Sequence, residues 1–179
     1  MNNFKILPYN KQAHLEEIKD WDEKYKYNPR YDSIRHYILE DNIYYGLYEV
    51  IETNHERYPI GENERKFAFV LLNNETNEIM GFILAIIDNL KTDDPELIIQ
   101  YIVMKPEYQN KGYSKQILSE IITNSEEYFD TKISSVLSRV EESNLPSRKL
   151  FYSLGFNFKN YTNTNYMKAE KKVKILENE

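Results

Sequence analysis

The stretch ELIIQYIVM, residues 96–104, is the feature that most restricts the fold of this chain. Side chains on a strand point alternately to its two faces, and here both alternating sets are mainly apolar. Such a run is typical of a strand buried on both faces. The stretch therefore predicts a central strand of a sheet.

Two further strand patterns come immediately before this stretch. KFAFVLLN (66–73) and IMGFILAIID (79–88) are separated by NETNE, a composition and spacing that predict a hairpin. Gly81 inside the second strand predicts a bulge or close packing. FKIL at 4–7 predicts a short first strand that ends at Pro8.

The N-terminal third is predicted to contain two helices and a loop. Apolar residues step by three along the first helix, Lys11–Tyr25. A second helix would be capped by Asp32 and carry on its apolar side Ile34, Tyr37 and Ile38. Residues 43–52 fit a strand or a helix, and residues 53–65 are polar and predict a loop.

The C-terminal part continues the alternation of helices and strands. Residues 113–129 have apolar residues at helical spacing, and 132–140 predict a strand. A short helix follows over 144–154, with Ser143 or Asn144 as its cap. NFKNY and TNYMKAE then predict a final hairpin. The element order predicts an α/β fold with a mixed central β-sheet flanked by helices.

Composition excludes several classes of protein. The net charge of -6 argues against a nucleic-acid partner, which normally requires a basic stripe. The longest apolar run has nine residues (79–87), whereas a membrane-spanning helix needs about 20. There is no cysteine, the three histidines form no ligand pair, and the N-terminus has no secretory pattern. We therefore expect no metal, no membrane partner and a cytoplasmic location.

The stretch PEYQNKGYSKQ (106–116) contains one of only five glycines in 179 residues. It lies at a strand-to-helix junction, where the first N–H groups of a helix have no intrahelical partner and the dipole favours an anion. Gly112 would let the backbone approach a pyrophosphate, and Lys111 and Lys115 would add positive charge. The alternative is a tight turn with no ligand, and neither GxxxxGK[ST] nor GxGxxG is present.

The second motif is NLPSRKLFYSLGF, residues 144–156. Together the two motifs resemble the GNAT N-acetyltransferase superfamily. The pyrophosphate motif of that family is Q/R-x-x-G-x-G/A, and it is matched here by Gln109, Gly112 and Ser114. The later motif of the family is N-x-x-A-x-x-L-Y-x-x-x-G-F. The residues at the matching spacing are Asn144, Ser147, Leu150, Phe151, Gly155 and Phe156. The resemblance covers about residues 66–160 well and the N-terminal third only by element order.

The resemblance implies a single GNAT-like domain over 1–179, with acceptor-side helices and a loop in 1–65, an acetyl-CoA-binding core in 66–170 and a charged tail in 171–179. Acetyl-CoA would be the cosubstrate. The implied cofactor-binding residues are Val103, Met104, Gln109, Asn110, Lys111, Gly112, Tyr113, Ser114, Asn144 and Phe151. The N–H of Met104 would polarise the thioester carbonyl. Asn144 would bind the cofactor arm, cap its helix, or do both.

The resemblance also implies direct transfer of the acetyl group to an amine. Such an amine is protonated at neutral pH, so a base has to remove its proton before it can react. Glu96 is the predicted base, with Asp94 and Gln100 as weaker alternatives. Many members carry a tyrosine acid at the position of Phe151, so Tyr152 is the candidate acid, although it lies on a different helical face. Releasing thiolate instead of thiol at pH 7 costs about 2 kcal/mol, since a thiol pKa is about 8.5.

Two functions stay open at this point. The first is N-acetylation of a primary amine on a small molecule or peptide. The second is a non-catalytic acyl-CoA-binding or sensing domain of the same fold, and an unrelated α/β domain is a third, weaker possibility. The family also suggests a possible homodimer. Aromatic residues of the N-terminal third would either wall a cation pocket or pack the helices on the sheet: Trp21, Tyr25, Tyr27, Tyr31, Tyr37, Tyr44, Tyr45 and Tyr48.

Overall fold

A computed structural model describes residues 3–25, 37–38, 43–44, 46–56, 64–162 and 164–173. The strands are β1 (Phe4–Pro8), β2 (Tyr37–Ile38), β3 (Ile43–Tyr44), β4 (Arg65–Asn73), β5 (Ile79–Asp88), β6 (Glu96–Met104), β7 (Ser135–Glu141), β8 (Asn157–Asn160) and β9 (Tyr166–Lys172). The α-helices are α1 (Lys11–Tyr25), α2 (Leu47–Glu56), α3 (Tyr113–Thr123), α4 (Ser125–Phe129) and α5 (Leu145–Ser153). A 3₁₀ turn spans Pro106–Tyr108.

The larger sheet has seven strands in the order β1-β4-β5-β6-β7-β9-β8. β1 is antiparallel to β4, β6 is parallel to β7, and β9 is antiparallel to both β7 and β8. The predicted α/β fold with a mixed sheet is therefore confirmed, and the predicted central strand, β6, is the fourth of the seven. In the described part of the chain, no helix is long and apolar enough to cross a bilayer.

The chain divides into two compact units that alternate along the sequence. The first comprises Met1–Tyr58, Lys66–Leu84 and Tyr101–Tyr108, and the second comprises Pro59–Arg65, Ala85–Gln100 and Gln109–Glu179. Strands β5 and β6 contribute residues to both units. The assignment of the whole chain to one domain stays a prediction.

In the first unit, α1 and α2 pack against the strands through one apolar cluster. Its buried members are Tyr9, Ile18, Trp21, Leu47, Val50, Ile51, Ala68, Val70, Ile79, Phe82, Leu84 and Val103. Trp21 meets Phe82 edge-on, with ring centroids 5.7 Å apart. Burial of this apolar surface is what holds the two helices on the strands. Trp21 is thus part of the core, and Tyr25 and Tyr48 pack against it.

Gly81 lies on β5 where the end of β6 comes very close. A Cβ at this position would be 2.1 Å from the carbonyl oxygen of Val103 and 2.9 Å from the sulfur of Met104. It would also be 3.1 Å from the Cα of Met104, so two of the three contacts are to the β6 main chain and no larger residue fits without moving the backbone. The predicted close packing is confirmed, and it fixes the position of the last two residues of β6.

In the second unit, the inner face of α3 carries Ile117, Leu118, Ile121 and Ile122, which are all buried. These residues repeat at the spacing expected of one helical face. The predicted single helix over 113–129 is interrupted at Asn124, where φ is -108° and ψ is 36°. Asparagine and the β-branched Thr123 are weak helix formers, so the chain starts a new short helix, α4, here.

Helix α5 has a defined start and a defined stop. Asn144 caps it, since Oδ1 accepts a hydrogen bond from the backbone N–H of Ser147 at 3.2 Å. At the other end, the N–H of Phe156 donates to the oxygen of Phe151 and the N–H of Gly155 donates to that of Tyr152. These two bonds define a Schellman stop, with Gly155 at a φ of +80°.

Other expectations changed in position or type. Tyr37 and Ile38, which were predicted to lie on a helix, form the two-residue strand β2, which pairs with β3; the rest of that predicted helix lies outside the described residues. The ambiguous stretch 43–52 contains both a strand and the start of α2, and α2 continues to Glu56, into the predicted loop. The strand predicted at 132–140 runs over Ser135–Glu141, and β1 includes Pro8 at the edge of the sheet. Proline is tolerated there because an edge strand needs no donor on its outer side.

We expect Gly155→Ala to lower the free energy of unfolding by about 1–2 kcal/mol, the cost of a left-handed conformation for a residue with a Cβ. Nothing lies within 4 Å of the added Cβ, so this cost is purely conformational. Gly155→Asn should lose less, since asparagine tolerates this region better. Chemical denaturation of the three proteins tests this; equal stability of the alanine variant and the parent would contradict it.

Candidate active site

The turn between β6 and α3 contains two left-handed residues. Asn110 has a φ of 60° and Gly112 a φ of 82°, with Lys111 between them. This conformation suits glycine and, among other residues, asparagine best. It turns the chain sharply enough for α3 to begin directly at Tyr113, and the N–H of Gln116 donates to the carbonyl oxygen of Gly112 as the first helical bond.

The N-terminus of α3 is open and electropositive. Gly112 is its N-cap residue, there is no side-chain cap, and the first turn has no acidic residue. Lys111 and Lys115 are exposed on either side. A Cβ at Gly112 would meet only Nε2 of Gln116, at 3.8 Å, so the space over the glycine is open. Helix N–H groups, the helix dipole and two lysines together suit an anion such as a pyrophosphate.

The remaining residues of the predicted pyrophosphate loop line the same turn. Gln109, Tyr113 and Ser114 are half-buried, whereas Asn110 is exposed. Part of the loop is therefore partly covered by the protein, and part of it faces solvent. Its role in binding acetyl-CoA stays a prediction.

Asn144 has hydrogen-bonding capacity beyond its role as a cap. Its Oδ1 accepts from Ser147, which confirms the predicted cap. Its Nδ2 group donates to no residue in the described part of the chain. An asparagine amide can donate two hydrogen bonds, so Asn144 can cap α5 and bind a ligand at the same time.

Phe151 and Tyr152 are adjacent but lie in different environments. Phe151 is 2% exposed and meets Phe156 edge-on, with ring centroids 5.0 Å apart. Tyr152 is 76% exposed. It lines a cavity of about 260 Å³ together with Leu145, Arg148, Lys149, Phe158 and Met167. The two rings therefore occupy different faces of α5, as expected from residues about 100° apart on a helix.

Glu96, the predicted base, is the first residue of β6 and is half-buried. The hydroxyl of Ser135, its register partner on β7, donates to Oε2 of Glu96 at 3.1 Å. The second carboxylate oxygen keeps lone pairs, so the group can still accept a proton. Met104, whose N–H is the predicted oxyanion donor, is the last residue of the same strand.

In the first unit, Val103 and Met104 are both buried and lie beside Gly81. The chain after them is anchored, since the N–H of Lys105 donates to the carbonyl oxygen of Met80 at 2.8 Å. An oxyanion donor has to be held in place before the ligand binds, and this role of the Met104 N–H stays a prediction.

Glu17 is a residue that the sequence patterns did not identify. Its Oε1 accepts from the N–H of Ile79 at 2.7 Å and forms an ion pair with Nζ of Lys105 at 2.9 Å. One carboxylate on α1 thus connects the start of β5 with the residue that follows β6. Its partners are 62 and 88 residues away, and no local pattern could reveal such a pairing.

A second link connects α1 with the 3₁₀ turn after β6. The hydroxyl of Tyr25 donates to Oε2 of Glu107 at 2.9 Å. Burial would raise the pKa of the Glu107 carboxyl, but hydrogen bonds from its own backbone and from Tyr25, with nearby lysine charges, hold that pKa below its usual value. Glu107 is therefore a charged acceptor at neutral pH.

The model of the acetyltransferase (GNAT) family matches residues 15–156. The chain belongs to this family of acetyltransferases, and the resemblance carried by the two motifs is confirmed. The family's activity is acyl transfer. A comparison with curated protein sequences gave no match.

Solved structures share the fold. An acetyltransferase from Thermus thermophilus aligns with a TM-score of 0.63 at 16% identity, covering 96% of this chain and 98% of that one. The PaiA N-acetyltransferase from Thermoplasma acidophilum, in complex with coenzyme A, gives 0.60 at 18%, covering 97% and 100%. A spermidine N-acetyltransferase from Vibrio cholerae, in complex with CoA and spermine, gives 0.62 at 15%, covering 95% of each chain.

We expect Gly112→Glu to abolish acetyl-CoA binding, because it places a carboxylate and a side chain at the open start of α3. Ser119→Glu, an exposed position further along the same helix, adds the same charge and should leave binding unchanged. Calorimetric titration of acetyl-CoA into each folded protein measures the difference. Unchanged affinity in Gly112→Glu would exclude the site.

Asn144→Asp separates the two roles of Asn144. Aspartate caps a helix as well as asparagine does, so stability should be retained. The lost N–H donor should weaken acetyl-CoA binding by about five- to ten-fold, the worth of one hydrogen bond. Ser143→Asp, an exposed neighbour, controls for the added charge. If all three proteins bind acetyl-CoA equally, Asn144 is only a cap.

Proposed function

We propose that this protein is an N-acetyltransferase that moves an acetyl group from acetyl-CoA directly to a primary amine of a small molecule or peptide. The observation that carries the proposal is the open, uncapped start of α3 at Gly112 in a chain of the acetyltransferase family. The structural neighbours with coenzyme A or with CoA and spermine support the cosubstrate and an amine acceptor.

The residues of the second unit suit the cosubstrate. The turn from Gln109 to Ser114 would bind the pyrophosphate through backbone N–H groups, with Lys111 contributing charge. Asn144 would bind the cofactor arm through Nδ2 while Oδ1 remains on Ser147. Bound acetyl-CoA supplies an activated thioester and a thiol leaving group. The roles predicted for the backbone of Val103 and Met104 in binding the cofactor and its thioester stay predictions.

Direct transfer agrees with the composition. The chain has no cysteine, so no cysteinyl acyl-enzyme forms. When the amine nitrogen forms its bond to the carbonyl carbon, the bond from carbon to sulfur breaks, the nitrogen loses a proton and the sulfur gains one. The protein's part is to accept the first proton and supply the second.

Glu96 is our candidate for accepting the proton, directly or through water. The hydroxyl of Ser135 donates to its Oε2 at 3.1 Å, which holds the carboxylate at the start of β6. Tyr152 is our candidate for supplying a proton to sulfur. Its exposed hydroxyl is also open to exchange with water, so water is the alternative donor.

The second candidate function is a non-catalytic acyl-CoA-binding domain. Phe151, which has no hydroxyl, is buried at the position where many members carry the acid, and the neighbouring Tyr152 is 76% exposed. A missing acid would slow transfer without preventing cofactor binding. This combination is the specific observation that favours a binding domain.

Amine-dependent release of the CoA thiol distinguishes the two functions. We expect the purified chain to release thiol from acetyl-CoA in the presence of spermidine, lysine or a peptide with a free α-amine, with one acetylated amine per thiol. Gly112→Glu should be inactive. Binding of acetyl-CoA without release for any of these amines would favour the binding domain.

Tyr152→Phe tests the acid in the same assay. A fall in kcat of about ten-fold or more, with a changed pH–rate profile, is expected of a general acid. Tyr161→Phe is the matched control, since Tyr161 is also an exposed tyrosine. Equal rates and profiles in the two variants would assign the proton to water.

A further inference from the structure

Gln100 on β6 has a buried side-chain oxygen with no hydrogen-bond partner. Its Oε1 is shielded from solvent and accepts from no residue in the described part of the chain. An unsatisfied buried acceptor costs about 1–3 kcal/mol. Folded proteins keep few such groups, and each one calls for an explanation by a water, a ligand or a functional role.

The position of Gln100 suggests a ligand. The parallel register between β6 and β7 pairs Glu96–Ile99 with Ser135–Ser138. At its last pair, the hydroxyl of Ser138 donates to the carbonyl oxygen of Ile99 at 3.0 Å. Gln100 is the next residue of β6, so its side chain lies at the point where this register ends.

The chemistry of the group restricts what it can bind. A side-chain amide oxygen only accepts hydrogen bonds, and it neither ionises nor takes up a proton near neutral pH. Gln100 is therefore no general base, although it was a weak alternative to Glu96 for that role. Its complement is a donor, an N–H or an O–H group of a ligand.

We propose that Gln100 is an acceptor-binding residue whose Oε1 receives a hydrogen bond from an N–H of the amine that is acetylated. This inference rests on the proposed function. The proposed function gives the cosubstrate binding partners in the turn before α3 and at Asn144, whereas it gives the amine only Glu96, which would take its proton. An amine is also the substrate whose reacting group is itself an N–H donor.

A neutral oxygen suits this task better than a carboxylate. An adjacent carboxylate would favour the protonated ammonium and raise the pKa of the amine. The ammonium has no lone pair and cannot attack the thioester. An amide oxygen holds the N–H without this stabilisation, so more of the bound amine remains nucleophilic.

The test compares Gln100→Met, which removes the acceptor at similar length, and Gln100→Glu, which replaces it with a carboxylate. Gln12→Glu, an exposed position on α1, is the matched control. Steady-state kinetics with spermidine, lysine or the peptide, whichever the parent protein acetylates, are measured at saturating acetyl-CoA between about pH 6 and pH 10. Acetyl-CoA affinity is measured separately by calorimetry.

We expect Gln100→Met to raise the KM for the amine by about three- to ten-fold, with acetyl-CoA affinity unchanged. Gln100→Glu should move the rise of the pH–rate profile to higher pH, since the amine must lose its proton against a carboxylate. Gln12→Glu should change neither quantity. A merely structural glutamine would not move the pH–rate profile in this way.

Three results would overturn the inference. An unchanged amine KM in Gln100→Met, with equal or greater thermal stability, would leave the glutamine without a binding role. Weaker acetyl-CoA binding with an unchanged amine KM would assign the N–H to the cosubstrate. If Gln100→Met fails to fold, Gln100→Asn replaces it, because this variant keeps the amide on a shorter side chain. It should still raise the amine KM, and an unchanged amine KM in Gln100→Asn is the third result that would overturn the inference. No turnover by the parent protein with any amine would refute the proposed function itself, before any variant is considered.

Discussion

Burial of β5, the neighbour of the central strand β6, is the interaction on which the rest of this structure depends. Eight of the ten residues of β5 are buried, including every residue from Ile79 to Ala85. Strands of this kind need apolar cover, which α1 and α2 supply in the first unit. The close approach of the two strands also requires the absence of a side chain at Gly81, beside Val103 and Met104.

The contrast between two helix starts explains why one of them suits an anion. Both α3 and α5 have first-turn N–H groups that need partners. In α5 the side chain of Asn144 accepts one of these bonds, whereas Gly112 of α3 has no side chain to do so. The open start of α3 also has lysines nearby and no carboxylate in its first turn, so a ligand anion can take the position of a cap.

The same comparison separates binding from catalysis. The residues implied for binding the cosubstrate through backbone or amide groups have a suitable local geometry. The residues considered for proton donation are less well suited to it. Tyr152 has a hydroxyl but is exposed, and Phe151 is buried but has no hydroxyl. Cofactor binding is therefore the better supported half of the proposed function.

Much of the fold could be predicted because its signals are local. The bounds of β5 and β6 followed from their largely apolar runs, and the start of α5 from a capping residue, Ser143 or Asn144. The break at Asn124 was missed because apolar spacing continues across it. The N-terminal third was harder to predict, since residues 43–52 have the composition of a strand and yet contain the start of α2.

The sequence by itself determined the element order from β4 onward, apart from the break at Asn124, together with the family and the turn at Gly112, because each depends on residues close together in the chain. Only the tertiary structure decided the partners of Glu17, the need for glycine at position 81 and the burial of the Gln100 oxygen. These features depend on which distant segments meet and how closely. A pattern of neighbouring residues does not contain that information, whereas the packed strands and helices do.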